Sequence, residues 1–464
     1  MNWQMTLSGA RLKAGRGPAG PWPVHYGVSS LMQAAPDTFL LIANRRVVRM
    51  PVVDFEDGAD GFIAGSLADL AAAEPVPLLR TENAVDPETG VALWRIGFLV
   101  TASFVPLGAR LADGRPHPGA GTGFAIATFM GIPQSFEHVL PRDFRKTNEL
   151  IQLRYDGRQL TVTDRTRFPG YGLIPDLEVR LHPLNAGVPD GADMLTGLAV
   201  SPIVTEGLTP PYAIPLDHPQ AHPVFGRNSG CACCRWRFDG KRWMAHQVSM
   251  VTPPDLSVEP SLIRDRDGSL LMSVRGKGLK EPAGSVHDGL ENTYEHFRVY
   301  RSTDNGATWS QHLHLPCKRN ATPVVLNRTA GGKPYLAANP YGREFDGEGR
   351  RIPSTFLRNT LCLWPLTPDR RDVEAPVKVL DCTERFGPPR AFGEASPKRR
   401  NGWNVDHPVG NVVRLADGRW HNLLCFRVAD SALNMGGQDA PEPGGAWIEE
   451  VTEAGETPRP EWYF

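Results

Sequence analysis

The sequence predicts an all-β fold assembled from repeated strand–turn–strand units, and three observations predict it. The first is a recurring hairpin signal, in which Asp-Gly or Pro-Asp separates two alternating apolar runs. It occurs at Pro36-Asp37, Asp156-Gly157, Asp239-Gly240, Asp267-Gly268 and Asp417-Gly418. The second is the abundance of turn formers, 47 Gly and 43 Pro in 464 residues. The third is the scarcity of sustained helical periodicity; the best short helix runs from Gly65 to Ala73.

The hairpins recur at uneven intervals of roughly 40–70 residues, which points to units of unequal length joined by long loops. Length alone would suggest several domains. Radially repeated four-stranded blades also account for it, because such blades need no common core. No composition shift marks a boundary, so residues 1–464 read as one β-propeller domain. Six or seven blades fit, and seven is the expectation. Pro- and Gly-rich stretches near 106–121, 183–193, 209–223 and 386–402 read as inter-strand loops.

A net charge of −1 excludes nucleic acid and anionic membranes as partners of the whole surface. Recognition of charge is therefore expected to be local. No apolar run approaches the ~20 residues of a membrane span. The first residues lack the pattern of a signal peptide, so the chain reads as cytoplasmic, or as secreted or periplasmic after removal of a leader. Seven cysteines, three of them packed at Cys231, Cys233 and Cys234, do not form a disulfide framework.

One stretch is more specific than the rest. In Ser302-Thr303-Asp304-Asn305-Gly306-Ala307-Thr308-Trp309 nearly every residue has a mechanical use. Asp304 can accept backbone N–H groups, Gly306 takes positive φ, Ser302 and Thr308 can tie the two arms, and Trp309 can plug the loop from below. It is similar to the Asp-box, S-x-D-x-G-x-T-W, of sialidase-like β-propellers. That resemblance implies a propeller and a loop on its outer rim, away from chemistry.

Propeller sites form at one mouth of the central channel, where loops of several blades converge, so candidates are scattered in sequence. His117 lies between two prolines, which positions it as a catalytic base must be positioned. His138 follows, then Tyr212 and, beyond it, Arg227. Together these four resemble the set used by ulvan-lyase-like polysaccharide lyases. The resemblance implies that Arg227 neutralises a uronate carboxylate and acidifies the neighbouring C–H. His117 or Tyr212 then removes the proton, and the other protonates the leaving oxygen. Such a β-elimination needs no organic cofactor, and its partner would be an acidic polysaccharide or oligosaccharide.

Other segments resemble the sialidases themselves. Val258-Glu259-Pro260 with Arg275 looks like the strand pair carrying an activating Glu and one carboxylate-binding Arg, and Arg358 sits in a segment like that of another. The chain departs from that pattern in two strands. It reads His25-Tyr26-Gly27 where the first Arg is expected, and Trp403-Asn404-Val405-Asp406-His407-Pro408 where the nucleophilic Tyr is expected. Arg275, Arg358, Trp403 and His407 are therefore expected as substrate-binding residues. A sialidase-like retaining hydrolase for an acidic sugar, and a non-catalytic carbohydrate-binding propeller, are the alternatives.

Cys231, Cys233 and Cys234, with His222 upstream, supply soft ligands in number for zinc. Three thiolates would leave no open position, so the expected zinc is structural. The alternative is a set of small buried apolar residues.

Overall fold

The computed structural model describes residues 3–11, 15–16, 23–47, 56–85, 90–133, 146–168, 177–179, 186–202, 230–252, 257–280, 293–317, 324–339, 359–387, 403–430 and 445–453. Within them the chain forms six antiparallel sheets arranged as a β-propeller. Blade 1 runs outward through Pro23–Ala35, Thr38–Val47, Glu56–Ala64 and Val76–Arg80. Blade 2 uses Ala92–Val105, Thr122–Pro133, Lys146–Tyr155 and Leu160–Phe168. Blade 3 has a broken inner edge, Leu177–Val179 and Val188–Asp190, followed by Asp193–Pro202, Gly230–Phe238 and Trp243–Met250. Blade 4 comprises Ser257–Arg264, Leu270–Lys280, Thr293–Ser302 and Ser310–Cys317. Blade 5 is Val325–Arg328, Pro334–Ala338, Thr360–Pro365 and Val377–Asp381. Blade 6 takes Trp403–Arg414, Trp420–Asp430 and Gly445–Glu453, and borrows Trp3–Arg11 as its outermost strand.

The blade number is six, where seven was expected. The hairpin signals fall on two different connections, so they do not count blades. Asp267-Gly268 and Asp417-Gly418 join first to second strands, whereas Asp156-Gly157 and Asp239-Gly240 join third to fourth. Both kinds of turn lie at one end of the antiparallel blades, the turn end. The second-to-third connections leave from the opposite, open end.

Apolar residues of neighbouring blades pack face to face, so the core is divided among blade interfaces. Blades 1 and 2 share Leu40, Leu79, Phe129 and Ile151. Blades 2 and 3 share Phe124 and Trp236, with ring centroids 4.3 Å apart. Blades 5, 6 and 1 share a larger cluster that includes Tyr335, Phe426 and Phe39. This explains how 464 residues fold without one common centre. The expected short helix is present as Leu67–Ala72, with Ser66 Oγ accepting from the Asp69 amide at 3.1 Å.

The Asp-box turn is built as its residues imply. Asp304 Oδ1 accepts from Ser302 Oγ at 2.7 Å and from the Thr308 amide at 2.8 Å, and Oδ2 accepts from Thr308 Oγ1 at 2.5 Å. These donors, the Thr308 hydroxyl first among them, hold the Asp304 carboxyl down at about 2. Gly306, at φ +90, sends its amide to Ser302 Oγ, and Trp309 Nε1 donates to the Gly306 carbonyl at 3.1 Å. Asn305 reaches across to Asp190 of blade 3, while Arg235 and Arg264 donate to its carbonyls. The box therefore clasps blade 4 to blade 3 at the turn end.

Candidate active site at the open end

Towards the open end, the inner strands of blades 4 and 6 carry the same device. In blade 4 an extra residue is inserted between the pairs Val258↔Arg275 and Ser261↔Ser273. In blade 6 the equivalent insertion lies between Asp406↔Arg427 and Val409↔Cys425. The bulged residues are Glu259-Pro260 and His407-Pro408, and Glu259 and His407 both have positive φ, +51 and +48. A residue before proline is already restricted, so a left-handed conformation there is strained. Strain of this kind, like the bulge that carries it, concentrates where a side chain must be re-aimed.

Each bulge is braced by an ion pair. Arg275 Nη1 donates to Glu259 Oε2 at 2.8 Å, with both side chains nearly inaccessible. Arg427 grips Asp406 through two bonds, Nε to Oδ1 at 2.7 Å and Nη2 to Oδ2 at 2.6 Å. Asp406 is 0% exposed. His407 Nδ1 stands 3.0 Å from Asp406 Oδ1, with 19% of its side chain exposed. Nearby in blade 4, Arg298 donates to Ser257 Oγ at 2.9 Å.

Blade 1 contributes a third cluster. Tyr26 donates its hydroxyl to Asp60 Oδ2 at 2.8 Å, and Arg80 and Arg45 approach the same carboxylate at 2.6 and 3.6 Å. Burial, and then the Asp60 charge, push the Tyr26 phenol far up, so it remains a hydrogen-bond donor rather than a nucleophile. Arg45 is 4% exposed, and its Nη1 has no partner among the described residues.

The residues expected from the sequence divide sharply. Arg275 and His407 belong to the open-end clusters. The strand residue Trp403 begins the inner strand of blade 6. His138, Tyr212, Arg227, Arg358 and His222 lie outside the described residues. The described strand ends that flank His138 (Pro133 and Lys146), and those that flank Tyr212, His222 and Arg227 (Pro202 and Gly230), are all at the open end.

His117 is the correction. It sits in the connection between the first and second strands of blade 2, at the turn end. Its Nδ1 accepts from the Gly119 amide at 3.0 Å, its ring stacks on Trp243 at 6.2 Å, and it is 7% exposed. Burial lowers its basicity, partly offset by a bond to the Gly191 backbone and by Asp193. His117 latches a long loop onto blade 3 and is separated from the open end by the length of the strands.

The three cysteines are also separated, by strand alternation. Cys231 and Cys233 face the interface with blade 4, while Cys234 points to the opposite face beside Phe124 and Trp236. All are buried, and burial pushes the Cys233 thiol up to about 12 and that of Cys234 well above its ordinary range. Three thiolates on two faces of a sheet do not converge on one ion, so the expected three-thiolate zinc site is not formed by this arrangement. We expect all three thiols to resist an aromatic disulfide reagent in the native protein and to react once it is unfolded. Stoichiometric zinc in freshly purified protein, released by a chelator together with stability, would overturn this packing account.

The Tyr26–Asp60–Arg45–Arg80 cluster and the Asp406–Arg427 pair were not foreseen from the sequence. The available signal was the repeated polar-residue–proline step, Glu259-Pro260 and His407-Pro408, at the start of two inner strands.

No protein-family model and no curated protein matches the chain. Solved structures do resemble it. A single-residue mutant of NanB sialidase from Streptococcus pneumoniae is 9% identical over 93% of this chain and 69% of that chain, with a TM-score of 0.50. NanB with Optactamide gives 10% identity, 97% and 71% coverage, and a TM-score of 0.51. The intramolecular trans-sialidase from Ruminococcus gnavus is 12% identical over 94% and 96% of the two chains, at a TM-score of 0.44. At these identities the likeness is one of fold: the chain is a six-bladed propeller of the sialidase-like kind.

Proposed function

We propose that the chain is a carbohydrate-active enzyme that takes a carboxylate-bearing sugar at the open end of the propeller and cleaves a uronate-containing glycan by β-elimination. The observation that carries the acidic substrate is a local surplus of positive charge. In the clusters of blades 1, 4 and 6, five guanidinium groups (Arg45, Arg80, Arg275, Arg298 and Arg427) stand among three carboxylates (Asp60, Glu259 and Asp406). In a chain of net charge −1 that surplus, counted among the described residues, is local to these three clusters, and a cluster of one sign attracts ligands of the other.

We prefer elimination to the retaining alternative on one described position, the inner strand of blade 6. Where the sialidase resemblance puts a tyrosine, Asp406 has both oxygens bound by Arg427 and no exposure. Elimination asks instead for a cation on the carboxylate, a base and an acid. Arg227 is the candidate cation and Tyr212 the candidate proton donor, with His138 as a candidate beside them, and the described strand ends that flank all three lie at the open end; the base is the role that His117 leaves open. The strained Glu259 beside Arg275 supports the second reading, a sialidase-like hydrolase.

The test is a panel of uronate and sialylated glycans, read both for the conjugated double bond of an unsaturated uronate and for new reducing ends. We expect the double bond. Arg227→Ala should abolish turnover, and Tyr212→Phe and His138→Ala should each lower it about 10²–10⁴-fold. Reducing ends without the chromophore, lost in a well-folded Glu259→Gln variant, would replace elimination by hydrolysis. Binding of acidic glycans without turnover would reduce the protein to a carbohydrate-binding propeller.

A further inference from the structure

His117 leaves a vacancy in the chemistry, because the imidazole expected to exchange protons stands at the wrong end. We propose that His407 is the general base of the open end, with Asp406 and Arg427 as its positioning residues. The proposal rests on the reading of this mouth as the site of a β-elimination, and it adds a residue to that reaction.

Four observations meet at His407. It occupies a bulge on an inner strand, at φ +48 and immediately before Pro408. The same bulge in blade 4 places Glu259 at the equivalent position with the equivalent strain, so the device recurs under a different sequence. The strand itself borders the channel: Gly410 and Asn411 line its wall, as do Leu262 and Ile263 in blade 4. At a rise of about 3.3 Å per residue, His407 stands roughly 10 Å nearer the open end than Gly410. Finally, the side chain is accessible while its bracing is not, with 19% exposure against 0% for Asp406 and 3% for Arg427.

The bracing suits a base. Asp406 cannot rotate, because Arg427 holds both its oxygens. It therefore presents a fixed negative edge 3.0 Å from His407 Nδ1. That edge favours the proton on Nδ1, which makes Nε2 the basic nitrogen, and it offsets the charge of the imidazolium once formed. The contact has the distance of an ion pair without the alignment of a hydrogen bond, and such contacts commonly tighten when substrate binds. Cys382, whose thiol is driven up by burial and by Asp381 and Asp406, is another titratable group near Asp406.

In the reaction, Nε2 takes the proton α to the uronate carboxyl. The C–H electron pair becomes the ring double bond, the adjacent C–O bond breaks, and its pair leaves on the glycosidic oxygen. That oxygen receives a proton from the acid, and His407 returns its own proton to water.

The positive φ gives an unusually clean variant. Glycine takes that conformation at no steric cost, so His407→Gly relieves the backbone strain while removing the imidazole and should remain folded. We expect its turnover of a uronate glycan to fall about 10²–10⁴-fold and to recover on adding free imidazole. A variant that keeps wild-type turnover, or loses it without rescue, overturns the proposal. A second measurement does not need turnover. In the folded wild-type protein, diethyl pyrocarbonate should acylate His407, mapped by mass spectrometry, and a uronate oligosaccharide should slow that reaction. An unreactive or unprotected His407 refutes the role. A reactive, protected His407 in a protein that cleaves nothing on the panel would retain the imidazole at the sugar site and sink only the elimination.

Discussion

Arg427→Ala should destabilise the protein by about 3–5 kcal/mol, the loss expected when one partner of a buried ion pair is removed. Asp406 would keep its charge at 0% exposure with neither of its two guanidinium bonds. No water could replace them without opening the interface where blades 5, 6 and 1 meet, because Val405, Val409 and Phe426 pack around the same strands. The reference for this effect is a double variant, Asp406→Leu with Arg427→Met. Two apolar side chains of similar length remove both charges, and most of the stability should return. The check is the urea midpoint of the three proteins. A single variant within about 1 kcal/mol of wild type would mean that the carboxylate finds water or another cation, and that the pair does not brace the bulge.

The sequence made the architecture legible wherever local chemistry alone decides a conformation. Asp304, Gly306 and Trp309 each take the part their side chains dictate, because a turn is built from residues a few positions apart. Leu67–Ala72 begins at a serine cap for the same reason. Pairings across strands were far less legible. Asp406 meets Arg427, and Glu259 meets Arg275, only through a register set by the bulges, and neither bulge is marked by a residue that must form one. His117 was misplaced for a topological reason. A rigid loop rich in Gly and Pro can join first to second strands or second to third, and only the strand order says which end of the channel it reaches. The cysteines are the opposite case, since the period of two was already written in Cys231-Ala232-Cys233-Cys234. Once that segment is a strand, its thiols must divide between faces.

Removing residues 1–11 should abolish cooperative folding, a larger effect than that of any single substitution above. Trp3–Arg11 is the outermost strand of blade 6, paired with Gly445–Glu453 from the other end of the chain. Among the described residues, that pairing is the one place in the six sheets where the ring is closed by distant segments. Without it, Gly445–Glu453 becomes an open edge carrying Trp447, Ile448 and Val451, three side chains that are now buried or nearly so. An exposed apolar edge of that length is a template for intermolecular pairing, so the expected product is aggregated protein with no sharp unfolding transition. A permuted chain separates the missing strand from mere truncation. Residues 3–11 can be placed after residue 453 through a short hairpin loop, because Trp3 and Glu453 are already antiparallel partners. Blade 6 then consists of four consecutive strands, and the permuted protein should regain the wild-type urea transition. If the truncated chain is instead a soluble monomer with an unchanged midpoint, the ring is held shut by the packing between blades, and the borrowed strand is dispensable.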